Sequence, residues 1–338
     1  MPIRTLLASV VLATAVCAAQ GSSARQPGVI DPNLAAQEPP LRTTVRLVIA
    51  PTTVVAPDGK YVDGLTERDF QLTDNGKPQP IQVDVTYVPI SLVIAVQSNQ
   101  IAAEALNKVH RIGPMIEPLI IGERGEAAVI SYDDQISVFM DFTSNAGRLT
   151  AALKQIPPSG GNARMIDAAE QAIQMLAARP TNHRRVLLLI GETRDRGSHG
   201  KLEHAVTLAQ RENVSVYALS YSAYITPFTA KPGTVPPAGG FDLLGVFREI
   251  GRLAKTNAAE AFTQYTGSSH LSFLKQRALE RAISRIGEEL HSQYLLSFTA
   301  TGESGEAFHA IEVKVKNRPD LVVRTRPGYW LEGPGERD

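Results

Sequence analysis

The run Leu92-Val93-Ile94-Ala95-Val96 constrains this chain more than any other feature. Five consecutive apolar residues leave no polar face for water, so a strand built from them must be covered on both sides. Strands of that kind belong to parallel sheets whose crossover connections lay helices on the two faces. The residues that follow keep the rhythm. Ile101 to Ile120 places Ala105, Val109, Ile112 and Ile116 near helical spacing, and Ala127 to Tyr132 and Ile136 to Asp141 read as strands. A helix is expected over Ile166 to Ala178, a strand over Arg185 to Ile190, a helix over Leu202 to Arg211 and a strand over Val214 to Leu219. Residues 222–240 break the pattern with four prolines and several glycines and read as a surface insertion. Helical patterning returns over Leu243 to Phe262 and Leu274 to Leu290. Residues 91–290 are thus expected to form an α/β unit, with a mainly parallel sheet and helices on both faces.

The flanks read as β structure. Within 42–90, Val45, Leu47 and Ile49 alternate with polar or smaller neighbours, Pro57-Asp58-Gly59 supplies a turn, and Phe70 and Leu72 alternate. Asp74-Asn75-Gly76 is a hairpin signal, after which Ile81, Val83, Val85 and Tyr87 alternate. Within 291–332, Tyr294 to Phe298, Ile311 to Val315 and Leu321 to Val323 read as strands. Neither set closes a core alone, so the two are expected to join into one β-sandwich with the α/β unit inserted between them.

Residues 1–24 have the form of an export signal: Arg4, an apolar stretch from Leu6 to Val16, and small residues at Ala18, Ala19 and Ala24. The stretch falls short of the roughly 20 residues a spanning helix needs, and no later segment approaches that length. Residues 25–41 read as a flexible spacer. Cys17 is the only cysteine, and the bulky Val16 before it argues against a lipid anchor, so the mature chain is expected to form no disulfide. Lys and Arg total 34 and Asp and Glu total 34; removing residues 1–24 takes away only Arg4. That balance favours neither nucleic acid nor an anionic membrane. A periplasmic or extracellular place is expected.

The segment Leu92-Val93-Ile94-Ala95-Val96-Gln97-Ser98-Asn99-Gln100-Ile101 resembles the first strand and loop of a von Willebrand factor type A domain. The flanking segments Gly64-Leu65-Thr66-Glu67-Arg68-Asp69-Phe70, Asp74 to Gln79, Gln293 to Phe298 and Arg326-Pro327-Gly328-Tyr329-Trp330 extend the likeness. Together they resemble exported von Willebrand factor A-related proteins of the acidobacterial type, from about Thr43 to Trp330. The resemblance implies a Rossmann-like sheet with a metal-ion-dependent adhesion site at its top. That site has the pattern Asp-x-Ser-x-Ser on a first loop, Thr on a second and Asp on a third. The matching positions here are Gln97, Asn99 and Ile101 on the first loop, Ala163 (or Asn162 under a one-residue shift) on the second, and Glu192, with Asp195 nearby, on the third. Hard cations want several oxygen ligands and carboxylate charge. Gln97 is neutral, and Ile101 and Ala163 carry no ligand atom, so the expected cofactor set is empty and Mg²⁺ is disfavoured. Two readings of the loops stay open: a scaffold acting through other surfaces, or a metal-free contact patch made of Gln97, Ser98, Asn99, Asn162, Glu192 and Asp195 for a protein partner. A metal-dependent adhesion module with Glu192, Asn99 and Gln97 as an atypical ligand set is the alternative.

An enzyme is not expected. The chain has no Gly-x-Ser-x-Gly elbow, no His-Glu-x-x-His and no phosphate-binding loop. His199 and His204 are five apart, off the spacing that aligns two ligands on a helix. A hydrolase would require Ser98 to meet a histidine. Asp133-Asp134 reads as turn chemistry, Asn213-Val214-Ser215 as a chance sequon, and Arg324, Arg326 and Trp330 as the alternation of a last strand.

Overall fold

The computed structural model describes residues 46–84, 88–221, 243–300 and 307–331. The export signal with Cys17, the spacer, Thr43, Val45, Val85, Tyr87 and the 222–240 insertion lie outside the described residues.

Four strands come first: β1 (Arg46–Val55), β2 (Phe70–Asp74), β3 (Lys77–Pro78) and β4 (Gln82–Asp84). Asn75 and Gly76 have φ of 48° and 77°. Two successive positive values are what a two-residue turn needs to match strand twist, so the Asp74-Asn75-Gly76 signal folds as the β2–β3 hairpin.

Next come β5 (Ile90–Gln97), α1 (Ala103–Val109), α2 (Gly113–Ile116), β6 (Glu126–Tyr132) and β7 (Ile136–Thr143). They are followed by α3 (Ala146–Gln155), α4 (Met165–Ala177), β8 (Arg184–Gly191), α5 (Leu202–Arg211) and β9 (Val214–Tyr221). The unit ends with α6 (Leu243–Thr256), α7 (Ala258–Thr266), β10 (His270–Phe273) and α8 (Gln276–Ser292). Six strands make one sheet in the order β10-β9-β8-β5-β6-β7, parallel throughout except for β7 on the edge. All eight residues of β5 are buried, as its unbroken apolar run demands. On one face Val93, Ala95 and Leu187 pack with Ile173, Val206 and Phe262 of α4, α5 and α7. On the other, Leu92, Ile94 and Val96 pack with Leu106, Ile116 and Ile286 of α1, α2 and α8.

Several elements differ from their expected extent. Ile101 to Ile120 is a 3₁₀ turn at Gln100–Ala102, then α1, α2 and a π-turn at Glu117–Ile121, where the apolar spacing predicts one helix. Pro114 and Pro118 each lack the N–H that a continuous helix would use. Gly113 also lets α2 approach α3, since a Cβ there would lie 2.7 Å from Thr150 Cα. The expected helix over Leu243 to Phe262 is divided at Asn257, whose side chain accepts from the Glu260 N–H at 2.9 Å and starts α7. Helix α3 and strand β10 are additions to the expected set. Three residues of α3 are buried, and β10 has four residues, so each carries a short apolar signal.

The last strands, β11 (Tyr294–Ala300), β12 (Ala307–Val315), β13 (Val322–Arg324) and β14 (Gly328–Leu331), return to the first four. They form two antiparallel sheets, β13-β1-β11-β4 and β14-β12-β2-β3. Phe70, Leu72, Tyr294, Leu296, Phe298 and Ile311 from both sheets share one apolar core. Phe70 and Tyr294 meet edge to face at 5.1 Å.

Several contacts tie these sheets to the α/β unit. Glu289 of α8 is fully buried; its Oε2 accepts from Ser269 Oγ at 2.5 Å and lies 2.5 Å from Arg324 Nη2 of β13. Burial works to lower the pKa of the Arg324 guanidinium, but the Glu289 charge more than offsets this and holds it raised. Gly267, which ends α7 with φ 76°, lets the backbone of Thr325-Arg326 come close; a Cβ would lie 2.5 Å from Arg326 N. Arg326 is buried and donates to Gln210 O and Asn213 Oδ1, while Trp330 stacks edge to face on Phe308.

Candidate functional site

Parallel strands deliver their C-terminal ends to one edge of the sheet, and three loops meet there: 98–101 after β5, 159–164 before α4, and 192–198 after β8. The loops are joined by main chain. Ser159 N donates to Ser98 O at 2.6 Å and Gln100 N to Gly160 O at 3.4 Å. Ala163 and Arg196 exchange both backbone hydrogen bonds at 2.9 Å.

Gln97 and Asn99 organise the first loop, and both are buried, as is Ser98. The Glu192 N–H donates to Gln97 Oε1 at 2.7 Å, and the Ala102 N–H donates to Asn99 Oδ1 at 3.1 Å. A backbone N–H can only donate, so these two bonds fix which end of each amide is oxygen. Gln97 Nε2 then donates to Asn99 Oδ1 at 2.9 Å and to Glu192 Oε2 at 3.3 Å. Asn99 Nδ2 donates to Gly161 O at 3.4 Å, and Arg196 Nη2 donates to Glu192 Oε1 at 3.3 Å. Beneath them the Tyr132 and Tyr221 hydroxyls are held far above the usual phenol range, chiefly by burial, with the Glu192 charge adding to it. Gly191 is required at this point. A Cβ there would collide with the Tyr132 hydroxyl oxygen and stand 2.6 Å from Gln97 Oε1.

Of the six residues singled out from the sequence, the fold therefore brings Gln97, Asn99 and Glu192 into one network. Ser98 Oγ instead donates to Asp133 Oδ2 at 3.3 Å, and Ser159 Oγ donates to the same oxygen. Asn162 Nδ2 donates to Asp134 Oδ1 at 2.6 Å. Asp195 accepts from the Ile166 N–H at 3.0 Å and from Ser198 Oγ at 2.6 Å, capping the start of α4. Asp133 and Asp134 thus do two things. Asp133 Oδ1 accepts from the Gln135 N–H at 2.8 Å, the turn chemistry expected of it, while the remaining carboxylate oxygens hold the 159–162 loop.

The donor set does not fit a divalent ion held in the manner of an adhesion site. Gln97 turns hydrogens toward the position where oxygens would have to converge, and Ile101 and Ala163 offer no ligand atom. Among the described residues no group of three or more His, Cys, Asp or Glu is placed to hold a metal.

Asp167 secures the third loop. Its carboxylate accepts from the His199 N–H at 3.0 Å, the Gly200 N–H at 2.8 Å and Arg164 Nε at 2.8 Å. Burial alone would raise its pKa, but these donors win and hold it below the usual carboxylate value. A depressed folded-state pKa contributes stability that is present above the unfolded value of about 3.9 and is lost as pH falls through the folded value. Asp167→Asn is accordingly expected to cost about 1 kcal/mol at pH 7. Urea titrations of the two proteins should show that difference intact at pH 6 and shrinking below about pH 4.

Ser98 Oγ has Asp133, not a histidine, as its hydrogen-bond partner. A serine does meet a histidine elsewhere. Ser220 Oγ lies 2.8 Å from His270 Nε2, and His270 Nδ1 lies 2.8 Å from Glu260 Oε2. With Ser220 only 1% exposed, the chain of bonds serves to fasten α7 to β9 and β10. Other histidines have partners of their own: His110 on Ile156 O, His183 on Ser91, His199 on Arg164, His204 on Glu170, His291 on the Leu119 backbone and His309 on Asp74.

Among the described residues no helix is long and apolar enough to cross a membrane. Residues 97–193 match the family model of the von Willebrand factor type A domain. No curated protein sequence matches the chain. Similar solved structures include BatB from Bacteroides thetaiotaomicron, at 12% identity over 60% of this chain and 98% of that one, with a TM-score of 0.40. An aerotolerance-related membrane protein from Bacteroides fragilis shows 15% identity over 59% of this chain and 98% of that one, with a TM-score of 0.41. Proximal thread matrix protein 1 from the mussel byssus, in a form with a zinc-occupied MIDAS motif, shows 14% identity over 66% of this chain and half of its own, with a TM-score of 0.44. The family match starts at the last residue of β5 and ends in the loop after β8, within a six-stranded, mainly parallel sheet covered by helices on both faces, so the α/β unit has a fold like that of a von Willebrand factor type A domain, with the sequence match confined to residues 97–193.

Proposed function

We propose that the chain is an exported, non-enzymatic interaction module of the von Willebrand factor A-related type, which offers a protein partner the rim at the carboxyl ends of its parallel strands without using Mg²⁺. The observation that carries this reading is Ile101. It stands 57% exposed on the first rim loop, two residues after a buried polar layer of Gln97, Ser98 and Asn99. An exposed large aliphatic side chain on a loop held from below is the kind of anchor that protein interfaces bury. Exposed Gln100 precedes it, and exposed Pro158 and Gly161 are hydrogen-bonded to the same loop through Gln100 and Asn99, with exposed Asn162 following. In this reading Gln97, Ser98, Asn99 and Glu192 shape the surface, Asp195 braces it, and Ile101 and Asn162 touch the partner.

Affinity capture from the producing cell's exported proteins tests it. Ile101→Asp should lower recovery of a specific partner by roughly tenfold, the equivalent of about 1.4 kcal/mol. Val138→Asp, at a similarly exposed position on the β7 edge, should leave recovery unchanged. Equal recovery with Ile101→Asp and wild type would remove the rim from the interface.

A further inference from the structure

We infer that the side-chain amide of Gln97 stands where a cation would stand in this rim, so that the loops after β5 and β8 are locked together permanently and without an ion. The inference deepens the rim reading and rests on it for its functional meaning, but its physical content is independent of any partner. Gln97 Nε2 carries two hydrogens, and each has an oxygen to meet: Asn99 Oδ1 at 2.9 Å and Glu192 Oε2 at 3.3 Å. One amide oxygen and one carboxylate oxygen, from two different loops, are the ligands a hard cation would gather. Here they converge on a donor that is part of the chain. The donor cannot turn away, because Gln97 Oε1 is held by the Glu192 N–H at 2.7 Å, and Asn99 Oδ1 is held in place by the Ala102 N–H. Charge is balanced too: Arg196 Nη2 approaches the other Glu192 oxygen at 3.3 Å. Gln97 is 1% exposed and Asn99 fully buried, while the Glu192 side chain, which meets Arg196, is 19% exposed. An ion entering this place would have to displace both hydrogens of Nε2.

The consequence is a binding surface that is assembled at any divalent-ion concentration, where an ion-dependent rim would come apart under chelation. Thermal unfolding of the full-length chain alone, in EDTA and in millimolar MnCl₂ or MgCl₂, tests the lock with no partner present, so its failure is distinct from failure of the capture experiment. The wild-type midpoint should be the same in all three buffers. Gln97→Glu keeps the shape but replaces the donor with a second carboxylate facing Glu192; in EDTA its midpoint should fall by roughly 5 °C, and Mn²⁺ should recover most of that loss. Asn99→Asp covers the case in which Gln97→Glu fails to fold. It adds the charge a cation would favour while leaving the Gln97 amide in place, and its midpoint should not respond to Mn²⁺. A rise of the wild-type or Asn99→Asp midpoint with Mn²⁺ would overturn the inference, as would a Gln97→Glu protein as stable in EDTA as the wild type.

Discussion

Replacing Glu289 with Ala is expected to destabilise the fold by about 4 kcal/mol, a large fraction of the stability of an ordinary domain. The reason is what remains behind. Arg324 would stay buried in the seam between β13 and α8 with its partner carboxylate gone, and an unpaired buried guanidinium costs far more than the pair itself contributes. Tyr61, whose hydroxyl lies 3.4 Å from Glu289 and whose pKa burial and Glu289 push up to about 12, and Ser269 would each lose an acceptor as well. Urea unfolding followed by tryptophan fluorescence measures this, because Trp330 lies in β14 of the antiparallel part. The double replacement Glu289→Leu/Arg324→Met should recover most of the loss, since it removes both charges and fills the space. A double variant as unstable as Glu289→Ala would show that the hydrogen bonds, and not the stranded charge, dominate.

Gly267→Ala is expected to cost about 3 kcal/mol through two effects that add at one atom. The residue sits at φ 76°, where an L side chain is strained, and the new Cβ would fall 2.5 Å from Arg326 N and 2.6 Å from Thr325 C. Main chain cannot rotate aside as a flexible side-chain tip does. The seam must therefore open by about an ångström, and circular dichroism melts should show the variant unfolding well below the wild type. Gly76→Ala, at almost the same φ of 77° but with nothing within 4 Å, isolates the backbone part and should cost only about 1 kcal/mol.

Much of the architecture is visible in the residues because its signals are local. Leu92 to Val96 reads as a strand covered on both faces and Asn75-Gly76 as a tight hairpin, and both fold so. Where the reading overran, the deciding contacts are distant in sequence. Gly113-Pro114 looks like a tolerable irregularity in a long helix until Thr150, far along the chain, is found packed against it. Helix α3 escapes notice because Leu149, Ala152 and Leu153 make only one apolar turn. At the rim, the loops align by pattern, so Gln97, Asn99 and Glu192 stand out from the residue order alone. Their meaning does not, since it depends on which end of each amide faces inward, and that is set by the N–H groups of Glu192 and Ala102. Asp133 illustrates the same limit. Its bond to the Gln135 N–H is a two-residue matter, whereas its bonds to Ser98 and Ser159 exist only once the sheet brings three loops together.

The pairing of β4 with β11 has a consequence for how such chains can change. Leu295 sits opposite Asp84, and Leu296 opposite Val83, so the strand that leads into the α/β unit and the strand that leads out of it are hydrogen-bonded neighbours. Arg184 repeats the closure one layer in, with its backbone N–H on Pro89 O and its guanidinium on Leu290 O. The whole unit from β5 to α8 is thus plugged into its carrier through two adjacent sockets. A cassette mounted in that way can be exchanged, lengthened or given new rim loops by altering one continuous stretch of gene, while the strands that hold it keep their register.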